Sequence, residues 1–140
     1  MNLVDQLRRD EGVRYQPYQD SLGNWTVGCG HKMTLTEHYF MPLSDVDVDR
    51  ILKADIADKQ AQLHAFSWFN VLDDCRQAAL TNMAFNLGVN GLLHFPHMLS
   101  CIADSDWQGA HDQALASTWA AQVGARATRI AEQIRTGQWI

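Results

Sequence analysis

One stretch of this chain refuses the helical spacing of the rest, and that refusal sets the architecture. From Val13 to Gly30 the sequence carries Tyr15, Tyr18, Trp25 and Val27 around a turn cluster, Asp20-Ser21-Leu22-Gly23-Asn24, which reads as a β-hairpin or small meander. Pro17 confines its strand to a sheet edge or an irregular start. Alternation puts Trp25, Val27 and Cys29 on one face and Thr26, Gly28 and Gly30 on the other. The second face is almost bare of side chains, as suits either close packing or the floor of a binding cleft.

Everything on either side reads as helix. Asn2 caps a first helix with Asp5 in its first turn, Leu3, Val4 and Leu7 at helical spacing, and Gly12 as the stop. Ser44 opens a long one, with Asp45 and Asp47 in its first turn and Val48, Ile51, Leu52 and Ile56 along one side. Asp73 or Asp74 begins the next, which Gly88 ends; Pro96 and Asp104 open shorter segments, and a last helix runs from about Gly124 to Thr136. The expected fold is α+β, mainly α: a small β lobe (12–43), a linking helix (44–66), and a helical lobe made of residues 67–140 with the helix 1–11. At 140 residues this is one domain of two small lobes that needs no staples to fold.

The net charge is −5, which gives a nucleic-acid role no bulk support. Residues 41–75 hold seven Asp against three Lys/Arg, while Arg126, Arg129 and Arg135 face Glu132 alone after residue 120, so the acidic average hides a basic C-terminal patch. The three cysteines are scattered and odd in number, with neither a disulfide framework nor metal spacing, and are expected as reduced thiols in a reducing cytoplasm. No metal or other cofactor is expected. Charged residues from Asp5 to Glu11 leave no apolar leader, and no window is apolar enough to span a membrane.

Glu11 ends a helix, Asp20 sits in a turn and Thr26 lies on a strand, and all three fit around one opening. Two carboxylates in unlike environments suit glycoside hydrolysis. The negative end of the helix dipole disfavours a second negative charge at Glu11, as a proton donor requires; a nearby arginine would oppose this, and the sequence leaves the sign open. Turn amides around Asp20 keep a carboxylate ionised, fit to activate water or steady a cationic centre. The Thr26 hydroxyl is placed to hold that water.

The strings Leu7-Arg8-Arg9-Asp10-Glu11-Gly12, Tyr18-Gln19-Asp20 and Gly23-Asn24-Trp25-Thr26-Val27-Gly28-Cys29-Gly30-His31 resemble the active-site segment of the phage lysozymes. Ala79 to Gly88 is similar to that family's central buried helix, and Arg126 to Trp139 to its C-terminal helix. The resemblance implies a lysozyme-like fold with a cleft between its lobes. It also implies an inverting muramidase that cuts the β-1,4 bond between N-acetylmuramic acid and N-acetylglucosamine. Glu11 would then be the acid, Asp20 the group acting on water, and Thr26 the hydroxyl that positions it. Asn86, where the family more often has Gln, Phe95, Gly30 and Arg126 are implied as contacts for the polymer, and His31 with Asp55 as a structural ion pair.

Two departures stand out. The segment from His31 to Ser44 is shorter than in the best-known member, and the acidic charge weakens attraction to an anionic wall. Trp107, Trp119 and Trp139 are expected in the core, His64, His94, His97 and His111 on the surface, and Cys29 buried rather than nucleophilic. The implied partners are bacterial peptidoglycan and a holin that opens the route from host cytoplasm to wall. The molecule is expected to be a monomer without nucleic acid or stable membrane insertion. Two rival readings are a lytic transglycosylase, which needs one acid and no water-holding pair, and a non-catalytic wall-binding module on the same fold.

Overall fold

The structure is a computed structural model that describes residues 1–140. It contains eight helices and one three-stranded sheet, a mainly α member of the α+β class. The chain divides into two units, Val4–Asp58 and Lys59–Ile140 with Met1–Leu3.

In the first unit, helix α1 (Leu3–Glu11) stops where the sequence turns to glycine. Gly12 adopts a φ of +71°, and its N–H closes the last turn on the Arg8 carbonyl at 3.1 Å. Strands β1 (Arg14–Gln19), β2 (Trp25–Gly28) and β3 (His31–Lys32) form an antiparallel meander in the order β1-β2-β3. Pro17 lies on the edge strand, inside the register irregularity between Arg14 and Tyr18.

The expected alternation along the second strand does not hold. Trp25 is exposed, whereas Thr26, Val27, Gly28 and Cys29 are all buried. The strand ends at Gly28, and positive φ at Gly28 and Gly30 turns the chain, so Cys29 lies outside the two-residue period. Cys29 is buried as expected, its thiol donating to the Leu7 carbonyl at 3.2 Å.

Helix α2 (Asp45–Leu63) starts on the Ser44 hydroxyl, which accepts the Asp47 N–H at 3.1 Å. It stops three residues short of the expected end, because Ala65 and Phe66 turn back onto the Gln62 and Leu63 carbonyls. Val48 and Ile51 pack with Val27 and Leu43 in a small core, flanked by Val13, Met33, Tyr39 and Met41.

Grouping α1 with the helical lobe differs from what the structure shows. From Val4 onward it belongs with the meander, to which it is tied by the Cys29–Leu7 contact and by Arg8, whose guanidinium meets Asp49 at 3.1 Å.

The second unit is helical throughout: α3 (Ser67–Asn70), α4 (Asp74–Leu93), α5 (Pro96–Ala103), α6 (Trp107–Leu115), α7 (Thr118–Val123) and α8 (Ala125–Thr136). Asp73, not Asp74, caps α4 by accepting the Arg76 N–H at 2.7 Å. Gly88 interrupts that span with a φ of +77° and a ψ of 160°, so the first helical stretch ends there, as expected, and a second continues to Leu93. Asp106, not Asp104, caps α6. The core gathers Phe69, Leu80, Met83, Leu92, Met98, Trp119, Ile130 and Ile134 with several alanines. Trp119 is in this core and Trp107 packs against it, but Trp139 is 40% exposed, contrary to the core position expected for it. It lies beyond Gly137, after the last helix has ended.

Candidate active site

The meander places Asp20 at the head of the turn between β1 and β2. Its Oδ1 accepts the N–H groups of Leu22 at 2.9 Å and Asn24 at 2.8 Å, and its Oδ2 accepts the Asn24 side-chain amide at 3.2 Å. These donors hold the carboxyl below its ordinary range. The Asn24 N–H contributes most, desolvation opposes it, and the Asn24 side chain, the Leu22 N–H and the charge of Lys32 add to the lowering. The turn closes with the Asp20 N–H on the Asn24 carbonyl at 2.9 Å.

That carbonyl also fixes Thr26, whose hydroxyl donates to it at 3.1 Å. Thr26 itself is 3% exposed. A hydroxyl whose hydrogen is committed in this way meets any further partner as an acceptor.

Glu11 closes α1, with Gly30 against it. A Cβ added to Gly30 would stand 2.9 Å from Glu11 Oε2 and 3.2 Å from its Cδ. The backbone there has a φ of +69°, so two independent demands select glycine: the handedness of the turn and the space taken by the carboxylate. Of the two uses open to the bare strand face, Gly30 shows close packing.

His31 follows on β3 and lies between two carboxylates. Its Nδ1 meets Asp55 Oδ2 on α2 at 2.7 Å, and its Nε2 meets Glu37 Oε2 at 2.7 Å. The Asp55 contact is the largest influence on the imidazole, desolvation opposes it, and Glu37 adds to it, so the ring is raised to about 9. For Glu37, burial alone would raise the carboxyl. Hydrogen bonds from the Tyr39 hydroxyl, the Thr34 N–H and His31 outweigh it and bring the group to about 2. Tyr39, donating to Glu37, is pushed up to about 12. The pairing of His31 with Asp55 is as the resemblance implied. Glu37 and Tyr39 were not foreseen, because a partner reached across an irregular loop leaves no periodic signal.

The remaining candidates lie on the helical unit. Asn86 is exposed, with its oxygen accepting the Trp119 indole N–H at 2.7 Å, so its amide hydrogens are the part left to face outward. Phe95 packs edge-on against Trp119, the ring centres 6.0 Å apart, and both line an open groove of about 350 Å³ with Gln113 and Ser117. Arg126 is 8% exposed. Its Nε and Nη2 grip Asn82 Oδ1 at 3.1 and 2.8 Å, which leaves little of it for a polymer. His64, His94 and His97 are exposed and His111 partly so. No cluster of His, Cys, Asp and Glu fit to hold a metal ion occurs in the structure, and no helix is long and apolar enough to cross a membrane.

Glu11 thus ends a helix against the Gly30 turn, Asp20 heads the β1–β2 turn, and Thr26 lies on β2. Residues 8–133 match the profile of the phage lysozyme family. The chain belongs to the phage lysozymes, a family of peptidoglycan-lytic glycosidases. It is 30% identical to the pre-baseplate central spike protein of Enterobacteria phage T4 over 98% of its own length, but it spans only 28% of that protein. "Probable T4-type lysozyme 2" of Dictyostelium discoideum is 26% identical, over 97% of this chain and 95% of the relative. A SAR-endolysin of Enterobacteria phage P21 is 30% identical over 79% of the chain and 65% of that protein.

Proposed function

We propose that this phage lysozyme hydrolyses the β-1,4 bond between N-acetylmuramic acid and N-acetylglucosamine in peptidoglycan, with inversion at the anomeric carbon. The observation that carries the reading is the pairing, through Asn24, of Asp20 at the head of the turn with Thr26 on the strand that follows it, the carboxylate kept ionised by its donors and the hydroxyl left as an acceptor.

In the proposed reaction Glu11 gives its proton to the leaving glycosidic oxygen as the bond to the anomeric carbon breaks. A water donates one hydrogen to Thr26 Oγ1 and the other towards Asp20. Its oxygen bonds to the anomeric carbon from the opposite face, and its proton passes to the Asp20 carboxylate. Asn86, through its amide hydrogens, and Phe95 are proposed as contacts for the wall polymer. The exit from host cytoplasm through a holin lesion and the monomeric state belong to the same proposal.

The test is clearing of outer-membrane-permeabilised Gram-negative cells by the native protein and by a folded Glu11→Gln variant, with analysis of the fragments. Rapid clearing that yields reducing muramic ends, and its loss in the variant, is the expected result. Equal clearing by both removes Glu11 as the acid. Anhydro-muramic ends would make the chain a transglycosylase, and binding without soluble fragments would make it a wall-binding module.

A further inference from the structure

Four hydrogen bonds of the proposed water-handling pair converge on Asn24, a residue of the turn cluster to which the sequence reading gave no role. The Asn24 N–H donates to Asp20 Oδ1 at 2.8 Å and its side-chain amide to Asp20 Oδ2 at 3.2 Å. Its carbonyl accepts the Asp20 N–H at 2.9 Å and the Thr26 hydroxyl at 3.1 Å. We propose that Asn24 is a positioning residue, one that fixes the Asp20 carboxylate and the Thr26 hydroxyl in a single mutual orientation and selects Oδ2 as the oxygen that receives the proton from water. The inference rests on the roles given to Asp20 and Thr26 above.

Three of the four contacts are main-chain and would survive any side chain at this position. The amide contact to Oδ2 would not. Oδ1 is occupied by two backbone donors, Leu22 and Asn24, and is therefore the weaker base of the two oxygens. Oδ2 takes the single amide donor, which stops the carboxylate from rotating and leaves a lone pair for water. On the other side, the Thr26 hydrogen points at the Asn24 carbonyl, so water must donate to Thr26. A water that donates to both Thr26 and Oδ2 keeps a lone pair for the anomeric carbon. The Asn24 amide thus trades a little basicity for orientation, and the downward displacement of the Asp20 carboxyl has this amide among its causes. Near-attack geometry of this kind is worth far more in rate than the small loss in base strength.

The experiment compares the native enzyme with Asn24→Ala, Asn24→Asp and Asp20→Asn, on purified peptidoglycan. It measures release of reducing ends against substrate amount from acid to alkaline pH, and thermal melts of every variant. For Asn24→Ala the expected result is a native melt, kcat lower by roughly tenfold, KM unchanged, and the acid limb of the rate profile moved up by about one pH unit or less, because Asp20 has lost a donor. Asn24→Asp keeps the size of the side chain but sets a second carboxylate against Oδ2, and should move the acid limb further in the same direction.

Native kcat with a native acid limb in Asn24→Ala overturns the inference. So does a loss of activity that tracks a lower melting temperature while the acid limb stays in place, since that marks a purely structural turn. If Asp20→Asn retains the native rate, the assignment of Asp20 fails and takes this inference with it. If Asp20→Asn is inactive and Asn24→Ala is native, the inference alone fails.

Discussion

The two units of the chain are held together by different physics. The helical unit encloses a continuous apolar core in which Phe69, Leu80, Met83 and Leu92 have no exposed surface. The meander unit has a smaller apolar cluster, Val27, Leu43, Val48 and Ile51, with Leu7, Cys29 and Leu52 buried as well, and adds many polar ties. Arg8 meets Asp49, Tyr15 donates to Asp45, the Cys29 thiol donates to the Leu7 carbonyl, and His31 is held between Asp55 and Glu37. The difference teaches where function sits. Carboxylates and hydroxyls that do chemistry need hydrogen-bond partners and turns, and a unit built from such parts has few side chains left over for a core.

The largest effect is expected where packing alone operates. Phe69→Ala should cost about 3–5 kcal/mol in denaturant unfolding, because a fully buried ring leaves a cavity that the surrounding helices close only in part. The loss should be nearly independent of pH. A cost under about 1 kcal/mol would mean that the helical core is loose and that the contrast between the units is false.

Next comes the charged tie. Asp55→Asn should cost roughly 2–3 kcal/mol at pH 6, since the imidazole loses its strongest partner while still facing Glu37. The sign with pH follows from the direction of each displacement. His31 is raised from 6.5 to about 9, so its contribution is complete below pH 6.5 and disappears as pH climbs through 9. Glu37 is lowered from 4.5 to about 2, so its contribution is complete above pH 4.5 and disappears as pH falls through 2. The native protein should therefore be most stable between these limits, and the gap between native and Asp55→Asn should close above pH 9. A gap that persists at pH 10 would show that Asp55 acts by something other than the charge on His31.

Gly30→Ala should cost roughly 1–2 kcal/mol, from a methyl at a φ of +69°. Its effect on rate should be far larger than its effect on stability, because the same methyl meets the Glu11 carboxylate. A variant that clears cell walls at the native rate would show that Glu11 can move aside at no cost to chemistry.

The same division explains what could be read in advance. Helices advertise themselves by spacing and caps, and Ser44, Pro96 and Gly137 mark boundaries close to those observed. The turn and glycine signals placed Glu11 at a helix end, Asp20 in a turn and Thr26 on a strand, as observed. Less visible were features that depend on three-dimensional closure. The strand period broke at Gly28, since positive φ is a property of the turn and not of the residue pattern. Glu37 reaches His31 across a loop with no regular structure. Asn24, four residues after Asp20, was accessible to a reading of turn chemistry, in which asparagine and aspartate bond their own backbone; its link to Thr26 was not.

The smallest expected effect tests whether the two halves of the His31 bracket act as one. Glu37→Gln should cost about 1 kcal/mol at pH 6, less than Asp55→Asn because Asp55 is the larger influence on the ring. Part of the contact also survives, since the Tyr39 hydroxyl can still donate to the glutamine oxygen. The part of the Glu37 contribution that comes from its ion pair with His31 exists only while the imidazole carries its proton. Removing Asp55 lowers the pH at which that proton leaves, so at pH 8 the Glu37→Gln change should cost less in the Asp55→Asn background than in the native one, whereas at pH 5 the two costs should converge. A double-mutant cycle measured at both pH values checks this. Equal costs at pH 8 would mean that Glu37 steadies the loop through Tyr39 and Thr34 alone, and the meander unit would then have one charged tie fewer than its geometry indicates.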